Sequence, residues 1–451
     1  MKTQIIVGGL LVLFAGAAAA QQEIPALTLE DAFRIAGERN PGFRSAQLDI
    51  RDAEAGVMSS YGSFLPNLNA SLGWNASRST TTIGEDDFGG VIEDQSRTVI
   101  SSNASQGLST GVTLFDGFRN LNNLRAAKSG VAVAEARVAI EELNLRAAVA
   151  QAFYRALVAL EQVAVERQLL ASAAGDLERQ QRRFGIASAT QVDVLTAELT
   201  VADREQSLET AINEATKRRL EVLQQLGTLG EITDFEPVGE LPEVFDPAVY
   251  VAGHLVTLGL QVHPSTAQAQ AALAQSERQL SAAKGQRLPQ ISANGSFSRS
   301  AGTNGYSQLF DFNPNSSHGF NFGVSISLPI FQRFTISQST ANAGAAVDRA
   351  QERTWETQLA VEQQVRSALI DLTNAFATYE IRVRARDIAT RRVEMAQEQL
   401  LLGAISYFEL QQHLDGLANA ERALLQAQGT FANNLVALQQ QVGQPIPRPG
   451  Q

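Results

Sequence analysis

Residues 40–66, NPGFRSAQLDIRDAEAGVMSSYGSFLP, return as residues 263–289, HPSTAQAQAALAQSERQLSAAKGQRLP. The ends carry the match: Asn40-Pro41 with His263-Pro264, and Leu65-Pro66 with Leu288-Pro289, at a constant offset of about 223 residues. Beyond each copy the chain runs strand, strand, long helix, turn, helix. From Leu114-Phe115-Asp116-Gly117-Phe118-Arg119 and Ile330-Phe331-Gln332-Arg333-Phe334-Thr335 onward the halves align without a gap. The offset there is about 216, and the alignment ends at Gln225-Leu226-Gly227 and Gln441-Val442-Gly443. A period of this size sets the architecture before any single residue does, and it makes the two halves parts of one body.

Composition narrows the classes. The chain has 451 residues, no cysteine and a formal charge of −11. Disulfides and thiolate metal sites are therefore excluded, and a nucleic-acid partner would want a basic face. His254, His263, His318 and His413 form no metal-ligand spacing, so no metal and no cofactor is expected. Residues 1–20 read as a signal peptide: Lys2, an apolar run from Ile5 to Phe14, and Ala18-Ala19-Ala20 as the cleavage signal. The run is shorter than the roughly 20 residues a spanning helix needs. No lipid-attachment cysteine follows it. No other stretch of about 18 apolar residues is read in the chain, so any membrane crossing falls to β-strands.

Four segments alternate with period two. Leu68, Ala70, Leu72, Trp74 and Ala76 oppose Asn67, Asn69, Ser71, Asn75 and Ser77. Ala104, Leu108, Val112 and Leu114 oppose Ser105, Ser109 and Thr113. Ile291, Ala293 and Phe297 oppose Gln290, Ser292, Asn294, Ser296 and Ser298. Phe320, Phe322, Val324, Ile326, Leu328 and Ile330 oppose Asn321, Ser325 and Ser327. Apolar residues alternating with small uncharged ones over about ten positions mark a strand with lipid on one side and water on the other. A half-buried strand of a soluble sandwich alternates too, but its polar face is rarely so free of charge. The connection holding Glu85, Asp86, Asp87, Glu93 and Asp94 reads as an exposed outer loop. Leu72, Trp74, Phe297, Phe320, Phe322, Val324 and Ile326 are the expected lipid-facing residues. Four strands cannot close a barrel, and an open edge in lipid strands backbone groups at several kcal/mol each. Closure therefore needs several copies of the chain.

About 65 residues after each strand pair contain no proline, enough for roughly 100 Å of helix. Leu145, Val149, Ala152, Ala156, Ala159 and Val163 form a stripe stepping by four and three, matched by Val361, Val365, Ala368, Leu372, Ala375 and Tyr379. That spacing implies coiled-coil contact with a neighbour. The turns at Gly185 to Thr190 and Gly403 to Ser406 place Gly at the helix stop and Ser or Thr near the next N-cap. The return helices, 191–226 and 407–442, are about half as long. The expected parts are a signal peptide (1–20), a first structural repeat (21–227), an equatorial linker (228–247), a second structural repeat (248–443) and a flexible tail (444–451).

In this order the motifs resemble the TolC-like outer-membrane efflux and secretion proteins of Gram-negative bacteria, in the branch without a lipid anchor. The resemblance rests on Leu27 to Ala32 (LTLEDA), the paired Asn40-Pro41 and His263-Pro264, the paired Leu65-Pro66 and Leu288-Pro289, Leu114 to Gly117, and the Asp193-Val194-Leu195 tip. It implies a mixed membrane fold: a transmembrane β-barrel of four strands per chain, shared by a trimer as 12 strands, continuous with a long periplasmic α-helical barrel. It also implies a periplasmic adaptor, docked at tips represented here by Gly185, Ser188, Asp193, Gly403 and Ser406. An inner-membrane pump or ABC exporter would supply energy. Relatives close the periplasmic end with acidic rings. The corresponding positions here are Glu409 and the uncharged Gln412, while Leu400 and Ile405 replace a Tyr and an Arg that latch some relatives. Glu409 reads equally as a first-turn acid favoured by the helix dipole.

The alternative is a secreted or surface coiled-coil scaffold or adhesin, which accounts for the stripe but leaves the strands and both offsets without a purpose. A hydrolase would need a base, and no His lies in a nucleophile-like context. No P-loop pattern is present. Three methionines and scattered histidines argue against a dedicated copper or silver duct.

Overall fold

The structure, a computed structural model, describes residues 26–82, 96–228, 230, 235–304 and 317–447. The signal-peptide reading, the acidic connection around Asp86, residues 305–316 and the last four residues lie outside them. The elements run β1 (Ala26–Leu27), α1 (Leu29–Arg39), α2 (Pro41–Gly62), β2 (Asn67–Thr82), β3 (Ser96–Phe115), α3 (Arg119–Gly185), α4 (Gln191–Leu226), β4 (Glu236–Pro237), α5 (Ala252–Val262), α6 (Pro264–Gly285), β5 (Gln290–Asn304), β6 (Ser317–Ser327), α7 (Thr335–Leu401) and α8 (Tyr407–Val442). Each antiparallel strand pair is thus preceded by a 22-residue helix and followed by helices of 67 and 36 residues. The chain divides into two compact units. One holds residues 149–242, 389–429 and the described part of 1–36. The other holds 37–148, 243–388 and the described part of 430–451.

The second unit carries a four-stranded antiparallel sheet in the order β2-β3-β5-β6. The helices that feed it start on local signals. Asn40 Oδ1 accepts from the Phe43 N–H at 3.1 Å, and His263 Nδ1 accepts from the Ser265 N–H at 3.2 Å, each with proline in the first helical position. The end of α6 meets the turn between β3 and α3 backbone to backbone: a Cβ on Gly285 would stand 2.4 Å from the Gly117 carbonyl oxygen. Gly117 also has φ of 70°, so two separate demands keep it glycine. Val361, Val365, Ala368, Leu372 and Ala375 of the stripe are buried against Phe431, Leu435, Leu438 and Val442 of α8 and Leu255 and Val256 of α5.

Two strand expectations need correction. The fourth segment ends at Ser327, so Leu328 and Ile330 lie beyond it. Pro329 has no N–H to donate to a ladder. Leu114 does not share the apolar face of its strand: Thr113 pairs with Ser292 but Phe115 pairs with Ile291. Leu114 is the extra residue of a bulge, and Phe115 takes its place.

In the other unit, the α3 stripe is buried through Ala159 and Val163 against Ala211 and Ala215 of α4. The short parallel pair of β1 and β4, with Val238 N–H donating to Leu27 carbonyl oxygen at 2.9 Å, joins the LTLEDA stretch to the segment read as the linker 228–247. One 18-residue window of α3 has mean hydropathy 1.2 and meets the length and composition of a membrane span, contrary to the sequence expectation. It is 56% buried within the protein, as a packed core helix is.

A charged group sits inside this unit. Glu166 of α3 is 2% exposed, and Arg422 of α8 grips it with Nε to Oε1 at 2.5 Å and Nη2 to Oε2 at 2.7 Å. Gln162 donates to the same carboxylate at 3.1 Å. Burial pushes the Glu166 carboxyl up, but the hydrogen bonds and charge of Arg422 outweigh it and the pKa ends below the ordinary value. Removing one partner of such a pair costs about 3–5 kcal/mol. Arg422 keeps 26% of its side chain open, so Arg422→Met should cost about 3 kcal/mol, the lower end of that range. Thermal unfolding at neutral pH checks this. The wild type should lose its advantage over the variant as pH falls through the depressed Glu166 pKa. Equal stability at neutral pH would show that the pair is not a fastening.

Candidate functional site

The register sorts the sheet into two chemically opposite faces. On one, Leu68, Ala70, Leu72 and Trp74 of β2 stand beside Thr110, Leu108, Gln106 and Ala104 of β3. These continue through Gly295, Phe297, Arg299 and Ala301 of β5 to Phe322, Phe320 and His318 of β6. Val324 and Ile326 extend the face beside Ala293 and Ile291. Phe320 is 74% and Ile326 71% exposed. The other face is Asn67, Asn69, Ser71 and Asn75 opposite Gly111, Ser109, Gly107 and Asn103, then Ser292, Asn294, Ser296 and Ser298 opposite Ser325, Gly323, Asn321 and Gly319. All seven residues expected to face lipid lie on the first face. Among the described residues, β2 and β6 each have one strand neighbour.

The turns between long helices lie in the other unit and are built alike. At the first, the Ser188 N–H donates to the Arg183 carbonyl at 2.7 Å and the Ala187 N–H to the Phe184 carbonyl at 2.9 Å. At the second, Ala404 donates to Gln399 at 2.9 Å and Gly403 to Leu400 at 3.1 Å. These are matching Schellman caps. The left-handed residue is Gly403 (φ 71°) in one and Ala187 (φ 56°) in the other. Gly185 is the last residue of α3, the helix stop expected from sequence, while the left-handed cap falls two positions later at Ala187.

Each following helix opens with a reciprocal capping box. Thr190 Oγ1 accepts from the Asp193 N–H at 3.2 Å while Asp193 Oδ2 accepts from the Thr190 N–H at 2.8 Å. Ser406 Oγ accepts from the Glu409 N–H at 3.2 Å while Glu409 Oε2 accepts from the Ser406 N–H at 2.8 Å. The backbone N–H and hydroxyl of Ser406, with His413 nearby, hold the Glu409 carboxyl below the usual carboxylate range. Glu409 thus caps α8. Glu409 and Gln412 are both exposed, turned away from the packed side of α8. That side is a feature the sequence reading missed: Tyr407 and Leu410 are buried with Ala197 and Ala396, and Leu177, Leu400, Ile405 and Leu414 pack around them. The signal was present as an i, i+3, i+7 spacing at 407, 410 and 414. Gln411 Nε2 donates to the Tyr407 hydroxyl at 2.5 Å, and burial pushes that phenol's pKa up. Leu400 and Ile405 are thus apolar packing elements at the tip.

The left-handed conformation costs a non-glycine residue about 1–2 kcal/mol. Gly403→Ala should therefore destabilise the second tip by about 1 kcal/mol, whereas Ala187→Gly should be neutral or stabilising at the first. Hydrogen exchange of the amides flanking each turn measures both; equal responses would mean the turns are not equivalent caps.

Comparison with known proteins matches these features. The family model described as outer membrane efflux protein matches residues 33–228 and 255–444. The alkaline protease secretion protein AprF of Pseudomonas aeruginosa is 26% identical over 421 residues, spanning 89% of this chain and 80% of AprF. The fold superimposes on CusC, from a study of folding and transmembrane channel formation, with TM-score 0.74 at 18% identity, covering 93% of each chain. It superimposes on the CmeC outer membrane channel of Campylobacter jejuni with TM-score 0.70 at 19% identity, covering 92% of this chain and 85% of CmeC. A two-faced strand sheet, long hairpin helices with matched tips, and a family match across both halves lead to one conclusion: this chain belongs to the outer membrane efflux protein family and resides in the outer membrane.

Proposed function

We propose that this protein is the outer-membrane exit duct of a tripartite efflux pump or a type I secretion system, assembled from three copies. The observation that carries the proposal is the sheet: one largely apolar face, one polar face free of charge along its middle, and, among the described residues, an open edge on each side. In hydrocarbon those edges must be paired, because no water is there to satisfy them. Twelve strands from three copies would leave lipid outside and a water-filled lumen inside. AprF, a protease secretion protein, favours secretion as one of the routes served. Each 67-residue helix spans about 100 Å, a length suited to reaching across the periplasm.

The two halves support the reading as structural repeats, and they specify how copies would join. The β2–β3 pair Asn67↔Gly111 and the β5–β6 pair Gln290↔Ser327 occupy equivalent positions, as do Trp74↔Ala104 and Phe297↔Phe320. The joint between halves, β3–β5, sets Leu108 opposite Phe297 and Gly107 opposite Ser298. Transferring that joint to β6 and β2 of the partner subunit puts Val324 opposite the position of Trp74, and Gly323 opposite that of Asn75. The contact of Gly117 with Gly285 transfers to Arg333 and Gly62, and a Cβ on Gly62 would meet open space in the single chain.

The tips at Gly185, Ser188, Asp193, Gly403 and Ser406 are the proposed seats for a periplasmic adaptor, with an inner-membrane pump or ABC exporter behind it. Three Glu409 carboxylates near the threefold axis would concentrate negative potential at the mouth and favour cations, with Gln412 contributing no charge to a second ring. The buried Tyr407 cluster in place of a polar latch makes apolar packing the restraint on opening.

The chain has no cysteine, which makes paired-cysteine tests clean. Gly323→Cys with Asn75→Cys should give covalent trimers on oxidation in outer membranes, and purified wild-type protein should form pores in planar bilayers. A monomer that conducts no current would remove the duct. In single channels Glu409→Gln should lower cation-over-anion permeability severalfold; an unchanged ratio would leave Glu409 as a helix cap alone.

A further inference from the structure

The apolar face of the sheet gives way to polar and cationic residues toward one end of its register. Arg299 of β5 stands directly between Gln106 of β3 and His318 of β6, next to the rung of Leu108, Phe297 and Phe320. Its place along the strand is telling. From Ile291, at the helix-proximal end, to Arg299 is about 27 Å of strand at 3.4 Å per residue. At a tilt near 40° that is about 20 Å of height, against a lipid-facing band about 25 Å tall. Arg299 and His318 therefore fall at the margin of the hydrocarbon on the side away from the helices, where headgroups lie. The joint derived above brings a third group: Arg78 of the partner subunit would lie opposite Phe320, diagonal to His318 and within reach of a long side chain. Arg78 itself ends the apolar run of its strand, after Leu72, Trp74 and Ala76.

We propose that Arg299, His318 and Arg78 of the partner subunit form a site for the phosphate of an anionic lipid in the outer leaflet. The acyl chains would lie on Leu108, Phe297, Phe320 and Phe322. A guanidinium is costly at mid-membrane and cheap at the interface, and two guanidiniums converging with an imidazole present forked donors of the geometry phosphate takes. Gln106 adds a neutral donor from the same rung. The site rests on the shared-barrel reading, because one of its residues comes from a second copy.

The test uses full-length trimers in phosphatidylcholine nanodiscs doped with diphosphorylated lipid A, or with the same lipid after removal of its phosphates. Lipid retained per chain through gel filtration is counted by mass spectrometry. Wild type should retain the phosphorylated form severalfold over the phosphate-free form. Arg299→Gln with His318→Gln should abolish the difference, Arg299→Lys should keep part of it, and Ser298→Gln on the polar face should leave it intact. Inorganic phosphate at millimolar concentration should not displace the lipid; displacement would show a site for free anions instead. Equal retention of both lipids by wild type, or unchanged preference in the double variant, overturns the proposal. Planar-bilayer conductance separates this from failure of the duct: the double variant should still conduct. Protein that forms no pore would instead bring down the barrel on which the site depends.

Discussion

A peptide N–H or C=O facing hydrocarbon has no water to turn to, and the proposed shared barrel rests on that constraint. Strands β2 and β6 each leave a row of such groups along one side. Every feature of the sheet is consistent with placing those rows against another copy. Its long strands and its exposed apolar face would be liabilities in water, where an exposed apolar strand edge invites aggregation. In a shared wall they become the wall itself.

The helical part follows different physics. Alanine at Ala152, Ala156, Ala159, Ala368 and Ala375 lets backbones approach closely, and these positions are buried. Little side-chain entropy is lost on burying alanine, which suits helices too long to rely on one central core. The Glu166–Arg422 pair is the exception, a buried ion pair in a seam of small apolar groups. Such pairs are weak devices for net stability, and this bidentate grip links α3 to α8 at one position along their length. Caps built from Thr190–Asp193 and Ser406–Glu409 serve the same end at the tips, holding each helix start in a single geometry.

Glu409 shows how one side chain can carry two readings. Its hydrogen bonds to Ser406 satisfy α8's first turn and keep the carboxylate charged. A charge pinned by its own backbone would suit the proposed mouth, so the cap and the proposed gate do not compete.

The period of the repeat, the alternation of the strands and the uninterrupted helical runs are local or near-local properties, and they were legible: the main strand faces and the return helices 191–226 and 407–442 are as the sequence indicates. What it left undecided depended on atoms brought together from far along the chain. The bulge that removes Leu114 from its face arises from pairing with a strand some 180 residues later. The left-handed cap at Ala187 overrides the preference for glycine because the Schellman hydrogen bonds decide which residue turns. Tyr407 becomes a core residue only because α3, α4 and α7 arrive on the same side of α8. Glu166 and Arg422 carry no motif; only tertiary packing tells a buried pair from two solvated charges. Sequence alone determined where the long strands and long helices form and which way most strand residues face, since those follow from backbone periodicity and side-chain chemistry. Register, cap position and burial of charge were decided by the tertiary structure, because each is a difference between competing long-range contacts that no local pattern encodes.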